Sequence, residues 1–415
     1  MTSPQKKLLF LAHRAPYPPN RGDRIRTYHL LHHLAQEYQV YLGALLDEPL
    51  DDAGQAVLRD LTADMALVPL GKRSRWLRAA WSMASGRTAT EGLFESPELR
   101  RQVRTWAGRN DFDAVFAFCS SMAPYAFVPE LADVPLIVDL IDVDSQKWFD
   151  YADQAGGLKR QLFALEGRRV RKLERRIVDR AQAVTLVSQA EADLFRRLCP
   201  NDKTHAVPNG VDLDYFRPDF PVEMPRPEQC VFVGVLDYRA NVESLVWFCR
   251  EVWPLVRRQK PDAVFAIVGK NPVPAIRQLA AHSGIRLVGE VPDVRPYIAE
   301  SRFSVAPLLV ARGIQNKVLE AMAMGKPVVA SPQALEGLLA QPGRDLLLAQ
   351  AASEWLTAID QLFAPSSTAA DIGQSARRFA ERTHRWDSNL AVASSLIGQP
   401  LPPLPSPLPA LAGVA

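Results

Sequence analysis

Residues 311–330 read Ala-Arg-Gly-Ile-Gln-Asn-Lys-Val-Leu-Glu-Ala-Met-Ala-Met-Gly-Lys-Pro-Val-Val-Ala. A loop holding Gly313, Ile314 and Asn316 opens a helix here, Gly325 ends it, and Pro327 blocks its continuation. The start of such a helix offers free N–H groups and a positive dipole end to a phosphate. Lys317 adds a charge, and Glu320, one turn on, can accept two hydrogen bonds from a ribose diol. A second pattern recurs at Gly234, at Gly269-Lys270 and at Gly289, each closing an apolar run of strand length. Backbone turns of this kind can cup a diphosphate, and Arg239 stands within reach of the first of them. Three such turns on consecutive strands would floor one crevice and together argue for a nucleotide.

The loop after the opening apolar run, residues 13–26, is His-Arg-Ala-Pro-Tyr-Pro-Pro-Asn-Arg-Gly-Asp-Arg-Ile-Arg. Its prolines stiffen it, Gly22 lets the backbone pass close to a ligand, and Asp23 is a candidate N-cap for a helix carrying Arg26 and His29. Gly22, Asp23 and Arg26 are therefore candidates for contact with a phosphate or another anion, against the plainer reading of a surface turn. Asp-x-Asp pairs occur at 111/113, 142/144 and 212/214. Such pairs can hold a divalent ion, but three occurrences discriminate little. Asp142 alone follows a strong strand and is read as a carboxylate lining the site. His29, His32 and His33 share a helix face without an acidic or cysteine partner nearby. No metal site is expected.

Strand-length apolar runs that could position these residues lie at 8–12, 40–45, 114–118, 136–140 and 183–187, then at 230–235, 263–268, 285–288, 303–306 and 328–330. Several are apolar at consecutive positions, as in parallel strands covered on both faces, and amphipathic stretches separate them. This alternation predicts an α/β chain of two doubly wound, Rossmann-like domains. The expected division is 1–208 and 209–378, with a helix at about 379–398 crossing back to the first domain. The break falls at Val207-Pro208-Asn209-Gly210-Val211-Asp212, followed by a proline-rich stretch typical of hinges. Residues 399–415 hold six prolines and no charge, and are expected to be extended and disordered.

A chain of 415 residues with 47% hydrophobic and 23% charged residues excludes a disordered or collagen-like protein. The formal net charge of +3 argues against a nucleic-acid partner. Four scattered cysteines without zinc spacing fit free thiols in a reducing cytoplasm. No signal-peptide core or membrane span is readable. One stretch, 159–180, carries nine Lys/Arg against three acids on an amphipathic pattern. It is either a solvated helix face or a peripheral contact with the inner face of the cytoplasmic membrane. Arg73, Arg75, Trp76, Arg78 and Trp81 form a second basic-aromatic segment.

Residues 311–330, with 207–212, resemble the retaining glycosyltransferases of family 4, which have the GT-B fold. Glu320 matches the second glutamate of that family's Glu-x7-Glu motif, and Gly313 and Ile314 match the Gly-Phe that presents N–H groups to the donor. The first glutamate falls on Arg312, a departure, because an arginine cannot accept hydrogen bonds from sugar hydroxyls. The family's Gly-Arg…Lys pair falls on Gly234-Val235 and Arg239/Asn241, so Arg239 and Lys317 are the substitutes for the missing arginine. The opening loop and the 311–317 run are similar to sugar transferases found with bacterial exosortase/PEP-CTERM exopolysaccharide systems. The resemblance implies transfer of a sugar from a nucleotide diphosphate sugar to a glycan or lipid-linked acceptor, with retention and without a metal or other cofactor. Asp142, Arg312 and Glu320 would then be the catalytic residues, with Gly22, Asp23 and Arg26 on the acceptor side. Two other readings stand beside it. Arg312 and Val235 favour a catalytically silent scaffold that binds nucleotide or a partner transferase. A sugar-nucleotide 2-epimerase would need a cluster of acid/base groups that the sequence does not show.

Overall fold

In the computed structural model, described for residues 6–71, 74–311 and 313–397, the chain builds two wholly parallel sheets. Seven strands form the first: β1 (Lys7–Ala12), β2 (Gln39–Leu46), β3 (Asp64–Pro69), β4 (Ala114–Phe118), β5 (Leu136–Ile141), β6 (Ala183–Leu186) and β7 (Thr204–Ala206). Their spatial order is β3-β2-β1-β4-β5-β6-β7. Six form the second: β8 (Arg226–Val233), β9 (Val264–Val268), β10 (Ile285–Gly289), β11 (Ser301–Ala306), β12 (Val328–Ala330) and β13 (Leu347–Leu348), in the order β10-β9-β8-β11-β12-β13. Both sheets are doubly wound α/β layers. Leu8 to Ala12 are wholly buried, as a strand with helices over both faces requires.

Every expected strand is present. Three further strands carry little sequence signal. β3 is an edge strand that buries one residue well, Val68, and ends in proline. β7 and β13 span three and two residues, too short for any period to show. Residues 399–415 and Arg312 lie outside the described residues.

The chain crosses between the halves twice, side by side. On the first crossing, Val211 N–H donates to His384 O at 2.8 Å and His384 Nδ1 donates to Asn209 O at 2.7 Å. A Cβ at Gly210 would come within 2.6 Å of Trp386 N, so glycine permits the two strands of chain to touch. On the return, Phe379 stays in the C-terminal core with Ala376 and Ala380. This corrects the expected start of the crossing at 379: the helix Thr368–Thr383 belongs to the second half, and the chain departs only at His384. The helix Trp386–Leu396 then packs on the first half, where Trp386, Leu390, Ala393 and Leu396 join its core. Trp386 stacks on His29 at 4.4 Å, and His33 pairs with Ser394 Oγ at 2.9 Å. Those helical histidines thus serve packing.

Candidate active site

The site is built from the carboxyl ends of strands in both sheets, where open parallel sheets bind ligands. In the second half, β10, β9 and β8 end side by side in Gly289, Gly269 and Gly234. Gly269 N–H donates to Gly289 O at 2.8 Å, and Gly234 N–H to Val268 O at 3.0 Å. A Cβ on Gly269, whose φ is +154°, would lie 1.7 Å from Gly234 O. No other residue fits that approach. Lys270 O accepts from Leu236 N–H at 2.9 Å, which fixes the turn after β9. The three glycine turns do form one floor.

Beside the β8 end of this floor stands the helix Asn316–Ala323, packed on β11 and β12, whose preceding residue Gln315 supplies no side-chain cap to the first-turn amides. Met324 follows and Gly325, at φ +66°, stops it. Lys317 Nζ donates to Asn241 Oδ1 at 2.9 Å and lies 5.1 Å from the centre of the Phe232 ring. Burial pushes the Lys317 amine down to about 8. Burial pushes the Glu320 carboxyl up to about 7, with Lys317 opposing the shift. Ile314 is buried in the C-terminal core. Arg239 is placed differently from the floor residues: its exposed guanidinium pairs with Glu243 at 2.7 Å and reaches Gln154 of the opposite half at 3.3 Å.

The facing wall comes from β1, β4 and β5, which lead into His13, Cys119 and Asp142. Cys119 and Ile141 hold positive φ, +79° and +68°, a strained geometry for residues other than glycine. His13 stacks on Phe118, and its Nδ1 lies 3.3 Å from Cys119 Sγ. Arg14 Nη1 lies 2.9 Å from His13 Nε2. Asp23 Oδ2 lies 3.3 Å from the same Nε2, so Arg14 and Asp23 meet at that edge of the ring. Burial pushes the imidazole pKa down, and the hydrogen bond with Asp23 opposes the shift.

Asp23 is not the helix cap. Arg21 occupies that position, and the Asp23 carboxylate instead accepts from Arg14 at 2.6 Å and Arg21 at 2.9 Å. Burial would raise its pKa, but the His13 hydrogen bond and the charges of His13, Arg14 and Arg21 hold it well below the usual carboxylate range. Arg26 is 1% exposed. Its guanidinium donates to Asp139 at 2.6 Å, Val207 O at 2.8 Å and Asn209 Oδ1 at 2.9 Å. It ties the first helix to the crossing segment rather than facing a ligand.

Two polar atoms at the meeting of the halves are buried with no hydrogen-bond partner among the described residues: Asp142 Oδ1 and Asn316 Nδ2. Each lies against a glycine of the opposite half. A Cβ on Gly313 would sit 2.5 Å from Asp142 Oδ1, and one on Gly22 would sit 3.9 Å from Asn316 Nδ2. The other oxygen of Asp142 pairs with Lys147 at 2.9 Å, and Asn316 Oδ1 accepts from Asn209 at 3.1 Å. Burial would lower the Lys147 pKa, but Asp142 and Asp144 hold it well above its usual value. Orphaned buried polar atoms are uncommon and mark places where a ligand completes the bonding.

Residues 227–364 match the family described as glycosyl transferases group 1, and residues 22–210 match the glycosyl transferase 4-like domain. The chain belongs to the GT4-type glycosyltransferases. Solved structures agree on the fold. Sucrose-phosphate synthase from Thermosynechococcus elongatus superposes with a TM-score of 0.69 at 17% identity, over 94% of this chain and 98% of that one. Anabaena HepE in complex with UDP-glucose gives 0.65 at 15% identity, over 94% and 99%. TarM gives 0.67 at 10% identity, over 95% and 99%. The architecture is therefore GT-B, two Rossmann-like domains facing a cleft. No curated protein matches the sequence.

Within this glycosyltransferase, sequence reasoning brought together the glycine floor, Asn241, Lys317 and Glu320. It missed His13, Arg14, Cys119 and Lys147 as members of the opposite wall. A signal existed for two of them, since His13 and Arg14 begin the loop already singled out. None existed for Cys119 and Lys147, which reach the site only through strand order.

Proposed function

We propose that this glycosyltransferase transfers a sugar from a nucleotide diphosphate sugar with retention of configuration, and that it needs no metal to do so. The observation that carries this reading is the pairing of Lys317 and the uncapped Asn316–Ala323 helix start with the glycine floor of β8–β10. Together they supply fixed positive charge where a departing diphosphate develops negative charge. Lys317 takes the part of the cation missing at Val235, while Arg239 closes over the rim from beside Gln154. Glu320 accepts from the ribose. HepE is described with UDP and UDP-glucose, which makes UDP the first nucleotide to try.

On the facing wall, Asp142 is the better placed of the two candidate carboxylates. Its Oδ1 has free lone pairs, whereas Asp23 is occupied by arginines. Asp142 orients the incoming hydroxyl of the acceptor, and Lys147 fixes its carboxylate. Asp23, Arg14 and His13 hold that wall in shape. Closure about the paired crossing at Asn209 and His384 excludes water, which competes as acceptor. The acceptor is a glycan or a lipid-linked sugar of exopolysaccharide synthesis, and the basic helix at 159–180 suits a membrane-borne one.

Thermal-shift titration with UDP, GDP, ADP and TDP, with and without EDTA, tests the donor half of this reading. A ligand at about 100 times its dissociation constant adds about 2.7 kcal/mol of apparent stability. One diphosphate should raise the melting temperature, and EDTA should leave the shift unchanged. Loss of the shift in EDTA contradicts the metal-independent reading, and no shift with any nucleotide contradicts the donor site.

A further inference from the structure

The helix Ser74–Ala84 is turned inside out. Trp76, Leu77 and Trp81 are 61%, 73% and 76% exposed, and Ala80 and Ala84 continue the same outward face. Its inward face is small, with Ala79 and Ser82 buried. The cause is the neighbouring helix Ala89–Phe94: a Cβ on Gly92 would lie 2.5 Å from Arg78 O and 2.7 Å from Ala79 Cα and Ser82 Cβ. Backbones this close admit only small residues between them, so the bulky apolar side chains stand in solvent. A contiguous exposed apolar face of this kind marks an interaction surface.

The surface adjoins the long helix Gly157–Arg180. Arg169 Nη1 donates to Met83 O at 2.8 Å and Arg87 O at 3.0 Å. Leu158 and Leu162, both exposed, lie on the same face of that helix as Arg169. Six of its cations, Lys159, Arg160, Arg168, Lys172, Arg175 and Arg176, are exposed. Two of its three acids are buried and spent: Glu166 accepts from Ala89 and Thr90, and Glu174 from Ser145. The exposed face is thus far more basic than composition shows.

We propose that Ser74–Ala84 docks this enzyme on an anionic bilayer, with Trp76, Leu77 and Trp81 entering the interface and the cations of Gly157–Arg180 meeting the lipid headgroups. Tryptophan beside basic residues is the chemistry of interfacial helices. A second copy of the chain is a poor occupant, because pairing this face would bring Arg168, Lys172 and Arg176 of two copies together. Among the described residues no helix is long and apolar enough to cross a membrane, so the contact is one of docking. The face also leads to the site. Phe94, at the end of the adjoining helix, packs edge-on against His13 with ring centres 5.5 Å apart, and Arg14 lies over its ring. The membrane side of the enzyme is therefore its acceptor side, and the acceptor it receives is lipid-borne. That last clause alone rests on the transferase reading; docking does not.

Flotation of the full chain with vesicles tests it, using phosphatidylcholine alone and phosphatidylcholine with about one-third phosphatidylglycerol. The protein should float with the anionic vesicles and not with the neutral ones. The variant Trp76→Ser/Trp81→Ser should lose about tenfold or more in partitioning, and Leu77→Asp should lose a similar amount. The nucleotide-induced melting shift of both variants should match the wild type, which shows the fold and donor site intact. Flotation unaffected by these changes, or absent in the wild type, overturns the proposal. So does a concentration-dependent dimer that the double variant abolishes. Flotation by a chain that turns over no nucleotide sugar would keep the docking and sink the transferase reading instead.

Discussion

The two walls of the cleft handle charge in opposite ways. On the glycine floor, where the donor is proposed to bind, Lys317 meets the amide of Asn241, and burial shifts both it and Glu320 toward neutrality. On the facing wall, proposed for the acceptor, charges are tied to one another. Arg14 bridges Asp23 and Asp47, Arg24 holds Asp47 and Glu48, and Arg26 is locked to Asp139. A charge desolvated more than its neighbours compensate is costly in the free protein, and a ligand of opposite charge relieves that cost. A networked charge gains little from a ligand and instead fixes the shape of the wall. The difference separates residues that bind from residues that build.

The sharpest way to break this comparison is at Arg26. Replacing one partner of a buried pair strands the other, at about 3–5 kcal/mol. Arg26→Met should therefore lower the unfolding free energy by about that amount in urea titration, by leaving Asp139 uncompensated. A loss below about 1 kcal/mol would mean that the wall does not depend on its network.

Lys317→Ala is the matching change on the floor, and its effect should fall on binding. Removing a charge-assisted contact worth about 1.5–3 kcal/mol weakens nucleoside diphosphate binding about tenfold to a hundredfold. The melting temperature of the free protein should change little, because the partly desolvated cation that is lost also offsets the charge of Glu320. Unchanged affinity with a lower melting temperature would make Lys317 a builder.

The pH dependence of binding sharpens the same point. Lys317 carries its charge below about 8, and Glu320 ionises above about 7. Both shifts disfavour the charged forms in the free protein, so both costs are present together between those values. Diphosphate affinity should peak in this window and fall by up to about tenfold per pH unit on either side. Calorimetry between pH 6 and 9 checks it, as roughly a bell. Lys317→Ala should remove the alkaline limb and Glu320→Gln the acid limb. A flat profile would separate both groups from the ligand.

How far the sequence could be read follows the same division. The glycine floor was legible because its parts are local: Gly313 to Glu320 is one short run, and Gly234, Gly269 and Gly289 repeat one pattern at successive strand ends. The facing wall was legible only in part: Asp142 and the loop at 13–26 stood out, but not that they meet. His13, Cys119 and Asp142 come from β1, β4 and β5, more than a hundred residues of chain brought together by strand order alone. Asp23 shows how a local rule fails there. An Asp opening a helix reads as a cap, but three neighbouring groups, His13, Arg14 and Arg21, compete for its carboxylate and win. The inside-out helix Ser74–Ala84 was visible as a basic-aromatic segment, yet nothing in its own residues tells which face Gly92 would leave outward.

The most direct test of the account follows the sugar. NMR spectroscopy of the nucleotide sugar whose diphosphate shifts the melting temperature gives both turnover and the anomer first formed. The wild type should release nucleoside diphosphate and deliver a sugar of unchanged anomeric configuration. Asp142→Asn should bind the nucleotide as tightly as the wild type and turn it over far more slowly. A product of inverted configuration, or full turnover in Asp142→Asn, would contradict the division of labour between the two walls.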